Sequence, residues 1–516
     1  MSNPDFFAPE TVAGMYKRLA AKREPYIRRA EEAALYTIPS LFPKEGSNGT
    51  TEFRKPYQAL GARGLNNLTA KILLAMFPPN TTWFRLGATE KAKEEVKQQI
   101  GEDAASELDH RLSLREQKIM RYHETRQFRV TLGEAIKQLL MAGNGCLFMP
   151  PKEGGIKLYK LSSYVCERDG LGNVFNLIAE DVLAYAALPD AVQELISRGS
   201  SQHSPDQEVK IYTRTFLQDD RWISYQEVDG QSIPDSGQDY PKDLSPWIPL
   251  RMSKVDGESY GRGYIEEHIG DLESYDRLCQ AMLEYAAIAA QIKFLVNPNG
   301  QTQARRLVNS KNGDYIPGRK QDVEALTLDK FADFRTAKEQ ADTLAAGLSM
   351  SFLLNSAVQR QAERVTAEEI RFVARELEDT LGGIYSLLSQ ELQLPLVRRS
   401  VVQLQTMGEL EELPKGTVEP TITTGLEALG RGHDLEKLKT FLSYMEGIPE
   451  AASYMKLGGL LTMVATALSM DISSLVRTEE EVQQANQLAL LRDMLTKGAP
   501  QLAGGFAQAQ LQEGGK

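Results

Sequence analysis

The chain has 516 residues, 42% of them apolar and 25% charged, which is ordinary for a soluble globular protein and leaves room for two to four domains or one large elongated subunit. Its net charge of −11 argues against a protein that grips nucleic acid, since binding phosphates calls for a basic surface, but does not exclude one that DNA must pass without sticking. The best apolar run, LLTMVATAL at 460–468, is too short to span a bilayer, and MSNPDFFAPE lacks the basic start and apolar core of a signal peptide, so no membrane partner is expected. Cys146, Cys166 and Cys279, odd in number and widely spaced, are expected as small buried apolar residues in a reducing cytoplasm.

The first elements read as helices. Residues 9–43 carry Met15, Leu19, Ala30 and Ala33 at helical spacing, interrupted by Pro25 and stopped by Pro39 and Pro43. In 59–79, Leu65, Leu68, Ile72 and Met76 make one stripe that Pro78-Pro79 ends. Two amphipathic helices follow at 104–125 and 130–142. The period then changes to two. Strands are expected at 156–161, 163–170, 173–180, 208–218, 221–228 and 247–255, with turns at Asp169-Gly170-Leu171-Gly172 and Asp219-Asp220. Residues 1–256 are therefore a mixed α/β region.

A helical stripe is then sustained through 257–292 by Ile265, Ile269, Leu272, Tyr275, Cys279, Met282, Ala286 and Ala289. A second runs through 329–354 by Phe331, Phe334, Ala341, Leu344, Leu348 and Phe352. Between them lies a short insert, 293–328, with strand-like pieces KFLVNP and DYIPGR. After a polar stretch, 355–365, Thr366 and Glu369 match a capping box that restarts a helix. Its stripe is Ile370, Val373, Leu377, Leu381, Ile384 and Leu388, and Gly382-Gly383 with Pro395 predict that it bends. Helices are expected again at 434–446, 455–468 and 478–497, and the Gly/Ala/Gln-rich end, 498–516, is expected to be disordered.

Motifs for catalysis are missing: there is no phosphate loop, zinc-protease helix, nucleophile elbow or paired-cysteine motif. In YGRGYIEE, Glu266 stands where a dinucleotide fingerprint needs glycine. The histidines at 110, 123, 203, 268 and 433 form no ligand-spaced cluster, and His268, beside Glu266, Glu267 and Asp271, reads as the solvated face of a long helix. No enzyme, cofactor or metal is expected. Charge is patterned in one place. Lys293, Arg305, Arg306, Lys311, Arg319 and Lys320 face one acid, Asp314, which fits either a docking surface for an acidic partner or passing DNA, or a solvated loop. Two long single stripes are hard for a lone protomer to bury, whereas copies packed side by side in a ring bury them.

Seven blocks now carry a resemblance: YTIPSLFPKE (36–45), GARGLNNLTAKI (61–72), YKLSSYVCERDGLGNV (159–174), DGESYGRGYIEEHIGDL (256–272), LLNSAVQR (353–360), ERVTAEEIRFVARELEDTLGGIYSLLSQELQLPLV (363–397) and TGLEALGRGHDLEKL (424–438). In collinear order over about 12–440 the chain resembles the portal proteins, or head-to-tail connectors, of short-tailed podovirus-type bacteriophages. The resemblance implies a mainly helical α+β fold with wing, stem, clip and crown, in a ring of about twelve copies around a DNA channel at one capsid vertex.

Carried over, 1–256 and 366–425 are the wing, 257–292 and 329–354 the two stem helices, 293–328 the clip and 426–497 the crown. The stretch 355–365 becomes a tunnel loop that puts Asn355, Gln359, Arg360, Gln361 and Arg364 in the channel. Arg360 and Arg364 then contact DNA, or else pair with Glu363 or Glu368. Arg305, Arg306, Lys311, Arg319 and Lys320 become a surface that meets the terminase large subunit and then the tail adaptor. Scaffolding, major capsid and internal core proteins are further implied partners. The place implied is the virion, after assembly in the host cytoplasm. The alternatives are a helical scaffold that binds only proteins, and a phosphoryl or nucleotidyl transferase, which the missing phosphate loop disfavours.

Overall fold

A computed structural model describes residues 10–79, 82–89, 91–92, 94, 103–152, 154–197, 204–289, 293–326, 331–354, 372–373, 376–377, 379–412, 417–423 and 443. The chain forms two compact units, Met1–Trp83 with Arg121–Glu411, and Phe84–Met120 with Glu412–Lys516. The fold mixes helices with antiparallel sheets.

In the first unit, helix α1 (Val12–Leu35) starts at Thr11, whose hydroxyl accepts the Gly14 N–H at 3.1 Å. The free N–H groups of Val12 and Ala13 donate to the buried Glu227 carboxylate at 3.0 and 3.2 Å. A remote acid thus caps the positive end of the helix. Helix α1 runs unbroken through Pro25, contrary to expectation. Buried Tyr16, Leu19, Ala30 and Ala33 on either side hold the turn whose hydrogen bond proline removes.

Helix α2 (Leu60–Met76) buries its whole predicted stripe. Helix α3 (Asp103–Thr125) begins in the second unit and ends in the first, and α4 (Phe128–Ala142) packs on α2. Gly143 closes α4 at φ +71°, in the left-handed position typical of a helix stop. There it lies against the backbone of Arg262 and Gly263. Asn144 ties the same chains together, donating to the Gly261 carbonyl at 2.9 Å and accepting its N–H at 2.7 Å. The glycines of YGRGYIEE therefore serve close backbone packing.

Strands β2 (Asn144–Phe148), β3 (Lys157–Tyr159) and β10 (Trp247–Arg251) form one antiparallel sheet, in the order β10-β2-β3. A larger one joins β4 (Tyr164–Arg168), β5 (Val174–Ala184), β6 (Glu208–Gln218), β7 (Arg221–Val228) and β8 (Gln231–Ser232), with β9 (Gln238–Pro241) on β7. Asp219 and Asp220 join β6 to β7 at φ +48° and +60°, the sense that matches strand twist. A short helix, α5 (Asp190–Ser197), buries Val192 and Ile196 beside Val209 and Ile211 of β6.

Helix α6 (Tyr264–Glu267) and helix α7 (Ile269–Ala289) replace the single long helix expected from 257. The break falls at His268, whose backbone leaves the helical region. Helix α7 pairs with α9 (Phe331–Ser351) as an antiparallel hairpin, with Tyr285 stacked on Phe334 at 5.0 Å. Twenty-one residues each make these helices about 30 Å long. Their bases are buried through Leu272, Asp276, Ala341 and Leu348. Further out, Leu283 and Ile288, which lie beside the predicted stripe and not in it, are each 57% exposed.

Past the hairpin, β11 (Lys293–Val296) pairs antiparallel with β12 (Val323–Leu326), and α8 (Ala304–Val308) lies between them in sequence. DYIPGR is exposed irregular chain, not a strand: Pro317 has no N–H to give a ladder, and β12 takes the pairing instead. Helical residues follow at 372–373, 376–377 and 379–381, with Val373, Leu377 and Leu381 buried. The helix stops at Gly382-Gly383 and resumes as α10 (Ile384–Leu388), a π-helical turn (Ser389–Gln393) and α11 (Leu394–Thr406).

In the second unit, β1 (Phe84–Ala88) pairs antiparallel with β13 (Val418–Ile422), neither of which the sequence pattern shows as a strand. The Glu116 carboxylate accepts the Leu86 N–H at 2.7 Å and pairs with Arg85 at 3.2 Å.

Candidate functional site

Candidate groups gather in two places, and the first is the insert between α7 and α9. Its centre is Asp322, a buried carboxylate that accepts both the N–H and the hydroxyl of Thr302, at 3.1 and 2.9 Å. The same hydroxyl accepts the Arg319 N–H at 2.9 Å, and the Asp322 carbonyl accepts the Asn297 N–H at 2.8 Å. These bonds tie residues 297–302 to residues 319–322. Arg305, Arg306, Lys311, Arg319 and Lys320 are all exposed around it, and no carboxylate pairs with any of them among the described residues. A groove of about 560 Å³ is lined by Gln303, Arg305, Arg306, Asn309, Asp314 and Tyr315 among others.

The second place is the end of α9. Leu354 N–H bonds the Ser349 carbonyl and Leu353 N–H the Met350 carbonyl, so the helix closes with Leu353 at φ +52°, where glycine is usual. Leucine there costs about 1 kcal/mol. Helix α2 supplies what holds it. Asn67 donates to the Phe352 and Leu353 carbonyls, both at 2.9 Å, and the Lys71 ammonium donates to the Leu353 carbonyl at 3.1 Å. Lys71 also pairs with Glu376 at 2.8 Å. Phe352 lies directly over Gly64, where a β-carbon would stand 2.5 Å from the ring. Tyr264 donates to the Ser351 carbonyl at 3.0 Å. Leu353, before the polar stretch 355–365, and Glu376, in the helix beyond it, are thus both tied to α2.

The family model for bacteriophage head to tail connecting proteins matches residues 9–476. The chain belongs to that family. It is 46% identical to the portal protein of Escherichia phage T7 over 97% of this chain and 94% of that protein. It is 47% identical to the portal protein of Enterobacteria phage T3 over 91% of this chain and 88% of that protein. Among solved structures, the neck of an empty gene transfer agent particle matches 80% of this chain and 90% of its own, at 10% identity and a TM-score of 0.35.

In this head-to-tail connecting protein the five basic residues predicted on the insert are each exposed, and Arg305 and Arg306 line the same groove. Gly382 has φ +58° and Gly383 follows it, at an interruption of the helix. Asn355, Gln359, Arg360, Gln361, Arg364, Thr366 and Glu369 lie outside the described residues, as do the helices expected at 434–446, 455–468 and 478–497 and the tail 498–516. His268 is not on a solvated helix face. It is half-buried between Tyr264 and Phe352, at ring distances of 4.9 and 5.6 Å, and loss of water lowers its pKa. Cys146 and Cys166 are buried and free, and Cys279 is free and half-buried. Among the described residues no group of His, Cys, Asp and Glu gathers as a metal site, and no helix is long and apolar enough to cross a membrane.

Sequence reasoning missed Asn67, Lys71 and Asp322. Lys71 had a signal: it stands on the apolar face of α2, three residues after Leu68, where a solvated lysine does not belong. Asp322 had none, because its partners are twenty residues away in irregular chain.

Proposed function

We propose that this chain is the portal of a short-tailed phage. Copies close into a ring of about twelve at one capsid vertex, and double-stranded DNA is packaged and later ejected through the central channel. The family membership over 9–476 is the observation that carries the reading. The fold supports it. A two-helix hairpin about 30 Å long, whose first helix leaves Leu283 and Ile288 exposed toward its outer end, offers a surface for neighbouring copies.

On this reading 257–292 and 329–354 are the stem, 293–328 the clip, 1–256 and 366–425 the wing, and 426–497 the crown. The clip docks first the terminase large subunit and then the tail adaptor through Arg305, Arg306, Lys311, Arg319 and Lys320. Scaffolding, major capsid and internal core proteins meet the rest of the ring, which works in the virion after assembly in the host cytoplasm. The protein is a conduit with no catalysis of its own. An acidic ring is suited to this, because a wall of like charge does not trap the passing phosphates.

The experiment is a phage of this type that lacks its own copy of the chain. Supplied in trans, the chain should restore DNA-filled heads. Heads that stay empty while the chain is incorporated would refute the conduit.

A further inference from the structure

The insert carries more information than its charge. Tyr315, 103% exposed, and Val308, 83% exposed, are the two most exposed large apolar side chains among the described residues. Tyr315 lines the groove together with Arg305 and Arg306, and Val308 ends the same short helix as both arginines. Phe294 and Leu295 on the neighbouring ribbon are also more than half exposed. Isolated exposed apolar residues are normal; a fully exposed tyrosine in a groove lined by two arginines, with exposed Val308 next in the chain to the lining residue Asn309, marks a binding surface.

We propose that this groove is the seat of an acidic protein segment that carries an apolar side chain, rather than a track for DNA. The inference rests on the portal reading for the ring that displays the groove, and it names the chemistry of the partner. Two observations favour protein over DNA. Phosphates gain nothing from an exposed valine, whereas a leucine or phenylalanine flanked by carboxylates gains from Val308, Tyr315 and the arginines together. Arginine and tyrosine are the side chains that most often carry binding energy between proteins. The frame is held by the buried Asp322–Thr302 bonds, so little order has to be created on binding.

The test uses the full chain, as assembled, and three labelled probes at about 150 mM salt. They are a peptide of glutamates interspersed with leucine and phenylalanine, the same peptide with serine in place of both, and a short DNA duplex. The apolar peptide should bind about ten-fold tighter than the serine peptide. Val308→Ser with Tyr315→Ser should erase that difference. Arg305→Glu with Arg306→Glu should weaken both peptides about ten-fold or more. The proposal is overturned if the duplex displaces the apolar peptide, if both peptides bind alike, or if neither double variant changes binding. Ring formation is scored on the same samples by sedimentation. Rings that bind no peptide overturn this inference alone, whereas an unaltered protein that forms no ring overturns the portal reading.

Discussion

Lys71 and Glu376, 305 residues apart in the chain, form an ion pair of 2.8 Å in which the lysine side chain is 7% exposed and the glutamate 21%. The same ammonium holds the Leu353 carbonyl. Removing one partner of such a pair leaves the other charge without its counter-ion in poor contact with water. Lys71→Met should therefore cost about 3 kcal/mol in urea denaturation. Adding Glu376→Leu should recover part of that loss. If the double variant is as unstable as the single one, the contact with Leu353 carries the stability and the ion pair does not.

Gly64 tests the same joint by volume. A methyl group there meets the Phe352 ring, which is fully buried and wedged beside Tyr264 and His268. Gly64→Ala should cost about 2 kcal/mol by overpacking, despite the helix propensity it adds. A stabilised variant in thermal melts would show that Phe352 moves aside freely.

His123 predicts an acid limit. It is buried, stacked on Trp83 and Phe128 and hydrogen-bonded to Ser400 at 2.7 Å, and desolvation brings its pKa down to about 3. The unfolded chain titrates near 6.5, so between these values it binds a proton that the folded state refuses. The stability from this group is complete above about pH 6.5 and falls as pH drops through the window, by about 2 kcal/mol at pH 5. His123→Phe should flatten that part of the pH dependence in denaturation curves at pH 5 and 7. An unchanged slope would place the acid sensitivity elsewhere.

The glycine pair at 382–383 concerns shape. Gly382 is left-handed at φ +58°, and a β-carbon there costs about 1 kcal/mol in that conformation. Alanine at both positions should drive the interruption toward continuous helix, and a structure of the variant measures the angle. The same bend in that structure would mean that packing around Leu381 and Leu388 sets it.

Arg360 and Arg364 lie in the segment between the two anchors of Lys71. Alanine at both should leave rings intact while lowering genome packaging or retention, read as DNA per head. Full heads from the double variant would remove these arginines from the DNA path.

Helix positions along 12–142 were legible because apolar stripes at 3.6-residue spacing report a buried face directly. Leu65, Leu68, Ile72 and Met76 are all buried as their spacing requires. The β6–β7 hairpin was legible for a similar reason: two alternating runs flank a two-residue turn. Strands β1 and β13 were not, because β13 contains Pro420 and finds its partner more than 300 residues away. His268 was misread because charged neighbours in sequence say nothing of Phe352, which arrives from another helix. The basic insert was visible as a cluster of charge, but its frame, Asp322 on Thr302, is a contact between irregular segments that no periodicity announces.

The central claim is a ring around a channel, and electron microscopy of the purified full chain tests it most directly. Closed rings of about twelve copies with an open centre, formed without other proteins, are expected. Monomers or dimers at micromolar concentration in several buffers, with no ring in any of them, would contradict it.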